Sequence, residues 1–219
     1  PKDVDGALQQ LLSGALVSDG ITDVFKLAGL EKPDISILSD AFLGEIRKLP
    51  QKNLAVELLR RLLQDELQSR FRTNVVKQRR FSELLQASLA KYANRSVEAA
   101  QVIEELIAMA KQFREEAERV AALGLSPAES AFYDSLAHNA SAKELMGDEV
   151  LMQMARELAE KLRGNLTIDW QYKDNVRARL RTMIKALLKR YKYPPDEEKG
   201  AIELVLQQTE LLSEEWSRG

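Results

Sequence analysis

Apolar residues in this chain recur at steps of three and four, and nowhere do they alternate over a useful length. That habit restricts the fold to helices, because a strand half-buried against a core needs a period of two. The longest instance is Ala99, Ile103, Leu106, Ala110, Phe113, Ala117 and Val120, a heptad seam about three repeats long. The helix formers Ala, Leu, Glu, Lys, Arg and Gln dominate, whereas Gly (10), Pro (6) and aromatics (6%) are scarce. The fold class expected is all-α: an irregular multi-helix bundle of eight or nine helices with one long heptad-like member.

Stop and start signals divide the chain. Helices are expected over 4–17 and 21–28, the second ended by Gly29 ahead of Pro33. Ser39 can cap a helix that Pro50 terminates, and a long helix follows over 52–73 with Val56, Leu59, Leu62, Leu63 and Leu67 on one stripe. After a break over 72–80, Ser82 is placed as the cap of a helix to Ala93. Asn94 or Ser96 then opens the seam helix, which Gly124 closes in the C′ position. Ser126-Pro127-Ala128-Glu129 carries the full N-terminal signature: a cap hydroxyl, Pro at N1 and a Glu that can reach back. Helices over 127–138, 148–163 and 173–191 follow, with 166–170 extended between the last two. Pro194-Pro195 breaks the chain, and Asp196 caps a final helix bearing Ile202, Val205, Leu206, Thr209, Leu212 and Trp216 on one side.

Several chemistries are excluded outright. Without cysteine there is no disulfide, thiolate zinc site or thiol nucleophile, which fits a reducing, cytoplasmic setting. No apolar run approaches the ~20 residues of a membrane span, and no signal-like segment opens the chain. Glu198-Lys199-Gly200 is the nearest approach to a phosphate loop and lacks its spacing. His138 is the single histidine, so a di-iron bundle or a serine triad would have to rest on it alone. Its position near a helix end reads as a dipole partner. Glu104-Glu105 and Glu115-Glu116-Glu118, interspersed with Lys111, Arg114 and Arg119, read as a solvated face. No catalytic residue, bound cofactor or metal ligand is expected in this chain.

Charge is where the chain stands out. The net formal charge is −2, yet residues 173–193 hold eight Lys/Arg against one Asp, and residues from Asp196 onward hold seven acids against two bases. Lys173, Arg177, Arg181, Lys185 and Lys189 repeat at four-residue steps, a winding ridge about 24 Å long with Arg179, Arg190 and Lys192 beside it. Same-sign neighbours at this spacing repel. Three readings stay open: a solvated face neutralised within the bundle, a surface for nucleic-acid phosphate, and an interface for an acidic surface, either the acidic terminal helix or another subunit. A second basic run, Arg70, Arg72, Lys77, Arg79 and Arg80, interleaves Phe71 and Phe81, which read as base-stacking platforms or as core plugs.

Particular stretches resemble a known family. Lys32-Pro33-Asp34-Ile35-Ser36-Ile37-Leu38-Ser39-Asp40, Phe42-Leu43 and Lys52-Asn53-Leu54-Ala55-Val56-Glu57 are similar to the C-terminal region of type I restriction enzyme R subunits. So are 100–106, Ser126-Pro127 with Phe132-Tyr133-Asp134, and Glu215-Trp216. The strongest stretch is Thr167-Ile168-Asp169-Trp170, Val176-Arg177-Ala178, Leu180-Arg181, Ile184-Lys185 and Tyr191 to Pro195. The likeness covers about residues 16–216.

It implies that the chain is part of a longer subunit, as the absence of an initiator Met also leads one to expect. That subunit would join a nuclease and two RecA-like motor lobes, using ATP and Mg, to a C-terminal helical domain over 34–219. Residues 1–33 would be a lead-in to the motor core. The partners implied are the methyltransferase (M) and specificity (S) subunits, with double-stranded DNA nearby and no membrane. The function expected is a non-catalytic assembly domain docking the ATP-dependent translocase and endonuclease onto the M and S core. The alternative is a stand-alone helical module for non-specific DNA binding or protein interaction.

Overall fold

The computed structural model describes residues 39–165 and 173–216, apart from the side chains of Glu214 and Glu215. The helices expected over 4–17 and 21–28, the lead-in over 1–33 and the extended stretch over 166–170 lie outside the described residues. Within them are eight helices and no strand: α1 (Asp40–Lys48), α2 (Lys52–Arg70), α3 (Val75–Ala93), α4 (Ala99–Leu123), α5 (Pro127–Leu136), α6 (Ala140–Asn165), α7 (Asp174–Arg190) and α8 (Glu198–Trp216). The all-α expectation holds.

The caps explain most of the boundaries. Phe42 N donates to Ser39 Oγ at 3.2 Å to start α1. At α5 the two halves of the capping box are closed: Glu129 N donates to Ser126 Oγ, and Ser126 N donates to Glu129 Oε2 at 2.7 Å. Gly124, at φ +60°, follows the last residue of α4 as expected. Two helices end in the same left-handed conformation without a glycine. Arg95 after α3 and Lys192 after α7 adopt φ of +53° and +56°, and the Ser96 and Tyr193 amides reach back to the Lys91 and Leu188 carbonyls. Those are Schellman ends in which a side chain occupies the position that glycine favours.

Four helix starts differ from the sequence reading: α4 begins at Ala99, past both Asn94 and Ser96, α8 begins at Glu198, past Asp196, and the starts of α3 and α6 also move. α3 begins at Val75 and runs through Ser82, because Asn74 caps it: Lys77 N donates to Asn74 Oδ1 at 3.0 Å. The chain therefore has its break at residues 71–74, not across 72–80. α6 begins earlier than expected, at Ala140, with Asn139 Oδ1 accepting from Ser141 N. It is interrupted at Gly147, whose φ of +74° and ψ of +164° are not helical. That break separates a short first segment from a second that covers the expected 148–163 and runs on through Gly164 to Asn165.

The described residues fall into two compact units: those up to Glu66 together with Glu83–Glu115, and Leu67–Ser82 together with Glu116 onward. In the first, α1 buries Phe42, Leu43 and Ile46, and α2 buries Ala55, Val56, Leu58, Leu59, Leu62 and Leu63. α4 buries Val102, Ile103, Leu106, Ile107, Met109, Ala110 and Phe113. This is broader than the two-position seam of a coiled coil, so α4 is a core helix over this stretch. Glu104 pairs with Arg47, Glu105 accepts from Ser88 Oγ at 2.7 Å, and Asp40 meets Lys111 and Arg114. The second unit packs α5 on α6 and α8, and α8 against α7. Its core joins Phe132, Leu136, Leu151, Met154, Leu158, Leu180, Ile184, Leu188, Val205 and Leu206.

Candidate interaction surface

α7 presents two arcs with different chemistry. Leu180, Ile184, Leu187 and Leu188 are buried, and the cations at the four-residue positions are left on the remaining circumference. Asp174 in the first turn and Lys189 and Arg190 in the last turn suit the helix dipole.

Of the readings the sequence left open for the ridge, neutralisation within the bundle is met at three of its positions. Arg177 pairs with Glu210 at 2.8 Å, Arg181 with Glu203 at 2.8 Å and Lys185 with Glu198 at 3.6 Å. Numbers rise on α7 as they fall on α8, so the two helices zip antiparallel with cations on one and carboxylates on the other. The opposite charge blocks of the sequence thus meet each other. The pairs stay open to water: the three cationic side chains are 37%, 48% and 52% exposed.

Around this zipper, Arg179 donates to Asn165 Oδ1 at 2.7 Å. Arg190 pairs with Glu157, which also takes Lys161 at 2.8 Å and the Tyr191 hydroxyl at 3.0 Å. The hydrogen bond from Arg190, opposed by burial and reinforced by Lys161 and Tyr191, draws Glu157 down to about 2. Lys173 is exposed at the N-cap of α7. Lys189 is exposed at the far end, with no ion pair among the described residues.

The second basic run scatters. Arg70 and Arg72 are exposed at the end of α2 and in the connection after it. Arg79 reaches Gln207 at 3.4 Å, and Arg80 lies over the Phe81 ring at 5.4 Å from its centroid. Phe71 and Phe81 are buried and stacked on each other at 5.3 Å, so they are core plugs and offer no face to a base.

Lys77 must be removed from the set of contact residues. It is 5% exposed and pairs with Asp134 at 2.9 Å and Glu116 at 3.1 Å. A run of like charges looked like a surface, but a helical turn points Lys77 inward, where only paired charges persist.

The network holding Lys77 was invisible in the sequence. Asp134 accepts from Asn74 Nδ2 at 2.7 Å and from Arg119 at 3.1 Å, and Glu116 accepts from Arg119 at 3.0 Å. Glu116, 22% exposed at its side chain, therefore belongs to this network and not to a solvated face. Burial pushes its carboxyl up, but the bonds from Arg119 and Lys77 outweigh it and leave it lowered. Arg119 also lies over the Tyr133 ring, whose hydroxyl donates to Asp148 at 2.7 Å. Burial and that bond push Tyr133 up to about 12.

Gln208, fully buried, serves the α2–α3 connection. Its Nε2 donates to the Thr73 carbonyl at 2.6 Å and its Oε1 accepts from Val75 N at 3.0 Å. Asn74 ahead of Val75-Val76 was the readable clue to this corner, as a cap preceding an apolar run. Gln208 offered none, since its partners lie more than 130 residues away.

His138 is exposed just beyond the C-terminal end of α5, beside an open depression of about 490 Å³ that also meets Arg79, Tyr193 and Gln207. Among the described residues no group of three or more His, Asp or Glu could hold a metal ion, and no helix is long and apolar enough to cross a membrane.

Residues 1–215 match the family described as "Type I restriction enzyme HindI endonuclease subunit-like, C-terminal". The chain is 40% identical over 208 residues to the type I restriction enzyme HindI endonuclease subunit of Haemophilus influenzae, covering 95% of this chain and 20% of that protein. It is 33% identical over 188 residues to a putative type I restriction enzyme MjaIXP endonuclease subunit of Methanocaldococcus jannaschii, covering 85% of this chain and 18% of that protein. The chain thus spans about a fifth of the length of the curated relatives it matches. No solved structure matches it. An all-α chain carrying these stretches along nearly its whole length belongs to the C-terminal domain family of type I restriction enzyme endonuclease subunits.

Proposed function

We propose that this chain is a non-catalytic assembly module. It would join the ATP-dependent, Mg-using translocase and endonuclease parts of its subunit to the methyltransferase and specificity subunits, in the cytoplasm and beside double-stranded DNA. The observation that carries this reading is the family match to a C-terminal piece, together with how its polar groups are used. Among the described residues, every carboxylate whose affinity for a proton is displaced is displaced downward: Asp40, Glu57, Glu105, Glu116 and Glu157. General acid catalysis at neutral pH needs the opposite shift. Asp40, Glu105, Glu116 and Glu157 spend their charge on pairs between helices, and Glu57 on Arg60 and Arg61 of its own helix.

What remains for partners is the exposed basic surface: Lys173, Arg177, Arg179, Arg181, Lys185, Lys189 and Arg190 around α7, with Arg70, Arg72, Arg79 and Arg80. Paired arginines and lysines at the rim of a surface can steer an acidic partner or meet phosphates. The deciding experiment deletes the region matching this chain from the parent subunit. Loss of stable association with the methyltransferase, with ATP hydrolysis retained, is expected. Normal assembly of the truncated subunit would overturn the proposal.

A further inference from the structure

We infer that the acidic face of α8 is a built-in competitor for the DNA backbone: Glu198, Glu203 and Glu210 occupy the cations of the α7 ridge and hold down its affinity for duplex phosphate. The inference rests on the proposal that this ridge meets DNA, and it adds how strongly and under what control.

The geometry separates two kinds of ion pair in this chain. Lys77 sits in the interior, 7% exposed at its side chain, with two carboxylates within 3.1 Å, and cannot be taken by an outside anion without opening the core. The ridge pairs are the reverse. Arg177, Arg181 and Lys185 are between 37% and 52% exposed, each pairs with one carboxylate, and those partners all come from one helix. Exposed single pairs of this kind contribute little to folding and are screened by salt. Their cations are therefore exchangeable, and a phosphate arriving from solvent replaces one anion by another without unpacking anything.

The competitor and the site are matched in pattern. Cations step by four along α7, and their carboxylates lie five and seven residues apart on α8, so three successive positions are each covered. Lys189, one step further along the same ridge, is exposed with no ion pair among the described residues. It offers a first contact from which a phosphate backbone can displace Glu198 from Lys185, then Glu203 and Glu210 in turn. A ridge built only to clamp α7 onto α8 needs no such free end. A ridge built only to bind DNA needs no carboxylates. Having both gives weak, salt-sensitive contact that a translocating duplex can make and release.

The test measures binding of a fluorescent duplex of arbitrary sequence to the 219-residue chain and to Glu198→Gln/Glu203→Gln/Glu210→Gln, from 0.05 to 0.3 M NaCl. A control chain carries Glu144→Gln/Glu149→Gln/Glu160→Gln, which alters net charge equally on exposed positions of α6. Each cation freed to release a counterion adds about 0.9 to the salt slope, so three add about 2.7. Doubling the salt should then weaken the α8 variant about sixfold more than the parent chain, and at 0.1 M it should bind at least about tenfold tighter.

An equal gain in the α6 control would make the effect one of net charge and overturn the inference. Binding by the parent with no gain in the α8 variant would overturn the screening while leaving DNA contact intact. No binding by any chain at 0.05 M would overturn both. Circular dichroism checks that each chain is folded. Should the triple variant unfold, Glu203→Gln alone, at a pair 48% and 40% exposed, is expected to tighten binding about twofold, and an unchanged affinity would refute it.

Discussion

Removing the Asp134 carboxylate is the sharpest test of the internal network. Asp134 is 9% exposed at its side chain and accepts from Asn74, Lys77 and Arg119 at 2.7, 2.9 and 3.1 Å. With Glu116 it balances the charges of Lys77 and Arg119, so the cluster is neutral as a whole. Asp134→Ala leaves a buried ammonium with one carboxylate and leaves the Asn74 amide without that acceptor. Breaking a buried pair costs about 3–5 kcal/mol. The low end, about 3 kcal/mol, applies here because Glu116 stays 3.1 Å from Lys77. Lys77→Met fills the same volume and leaves Asp134 with Arg119 and Asn74, so about 1.5 kcal/mol is expected. The double variant has no stranded ammonium and should be more stable than the sum of the singles by about 2 kcal/mol.

Urea unfolding in a Trp170→Phe background reads this out through Trp216, which lies 6.5 Å from Phe132 in the same unit. With a slope of about 2 kcal/mol/M, Asp134→Ala should lower the midpoint by about 1.5 M. Additivity of the two singles within about 0.5 kcal/mol would refute the argument, because it would mean the two charges do not meet in a dry environment. A coupling that disappeared in 1 M salt would refute it equally, since screening of that kind belongs to surface pairs.

Four further outcomes are expected. Glu157, drawn from 4.5 to about 2 chiefly by Arg190, stabilises the fold fully above its unfolded value, and the contribution is lost as pH falls from about 4.5 through about 2. Thermal midpoints of Glu157→Gln should therefore lie below the parent at pH 7 and converge with it near pH 2, whereas a constant difference would contradict the assignment. Gly147→Ala should cost about 1–3 kcal/mol although a Cβ there meets nothing within 4 Å, because its φ and ψ belong to a region only glycine populates freely. Lys192→Gly should do the opposite and stabilise by up to about 1 kcal/mol at its φ of +56°, both read by denaturant midpoint. Gln208→Leu leaves the Thr73 carbonyl and the Val75 amide without the bonds that side chain supplies and should cost about 2–4 kcal/mol by urea unfolding, more than any loss from its neighbour Gln207→Ala.

Local rules carried most of the fold. The caps at Ser39 and Ser126 and the stop at Gly124 each depend on residues within one turn, so the sequence shows them directly. Ser82 misled because a hydroxyl before an apolar run also occurs inside helices, and only the Asn74 bond to Lys77 N tells which residue caps. The Arg95 and Lys192 helix ends lack the glycine that normally marks them. Charge was harder, since its meaning depends on what lies opposite. The ridge on α7 and the acids of the last helix were both visible as blocks, but their pairing needs the antiparallel placement of α7 and α8. Lys77 shows the limit most plainly: the cations nearest it in sequence, Arg72, Arg79 and Arg80, are exposed, and its partners lie 39 and 57 positions further along the chain.

The stretches that carry the family likeness divide along the same line. Val102, Ile103 and Leu106, Phe132, Tyr133 and Asp134, and Tyr193 are buried, and their chemistry is spent on packing or on the internal network. Likeness at such positions speaks for a shared fold, because a core constrains its residues whatever the outer surface does. Arg177 and Arg181 lie in the strongest of those stretches and contribute nothing to the core; they are half-exposed and held by single carboxylates. A pair so placed is too weak to be needed for stability, and a bare lysine or serine would serve a solvated face as well. Planar guanidinium groups are suited to bidentate contact with an oxyanion. Variation at Arg177 and Arg181 should therefore separate assembly and DNA contact from folding, which no variant in the buried stretches can do.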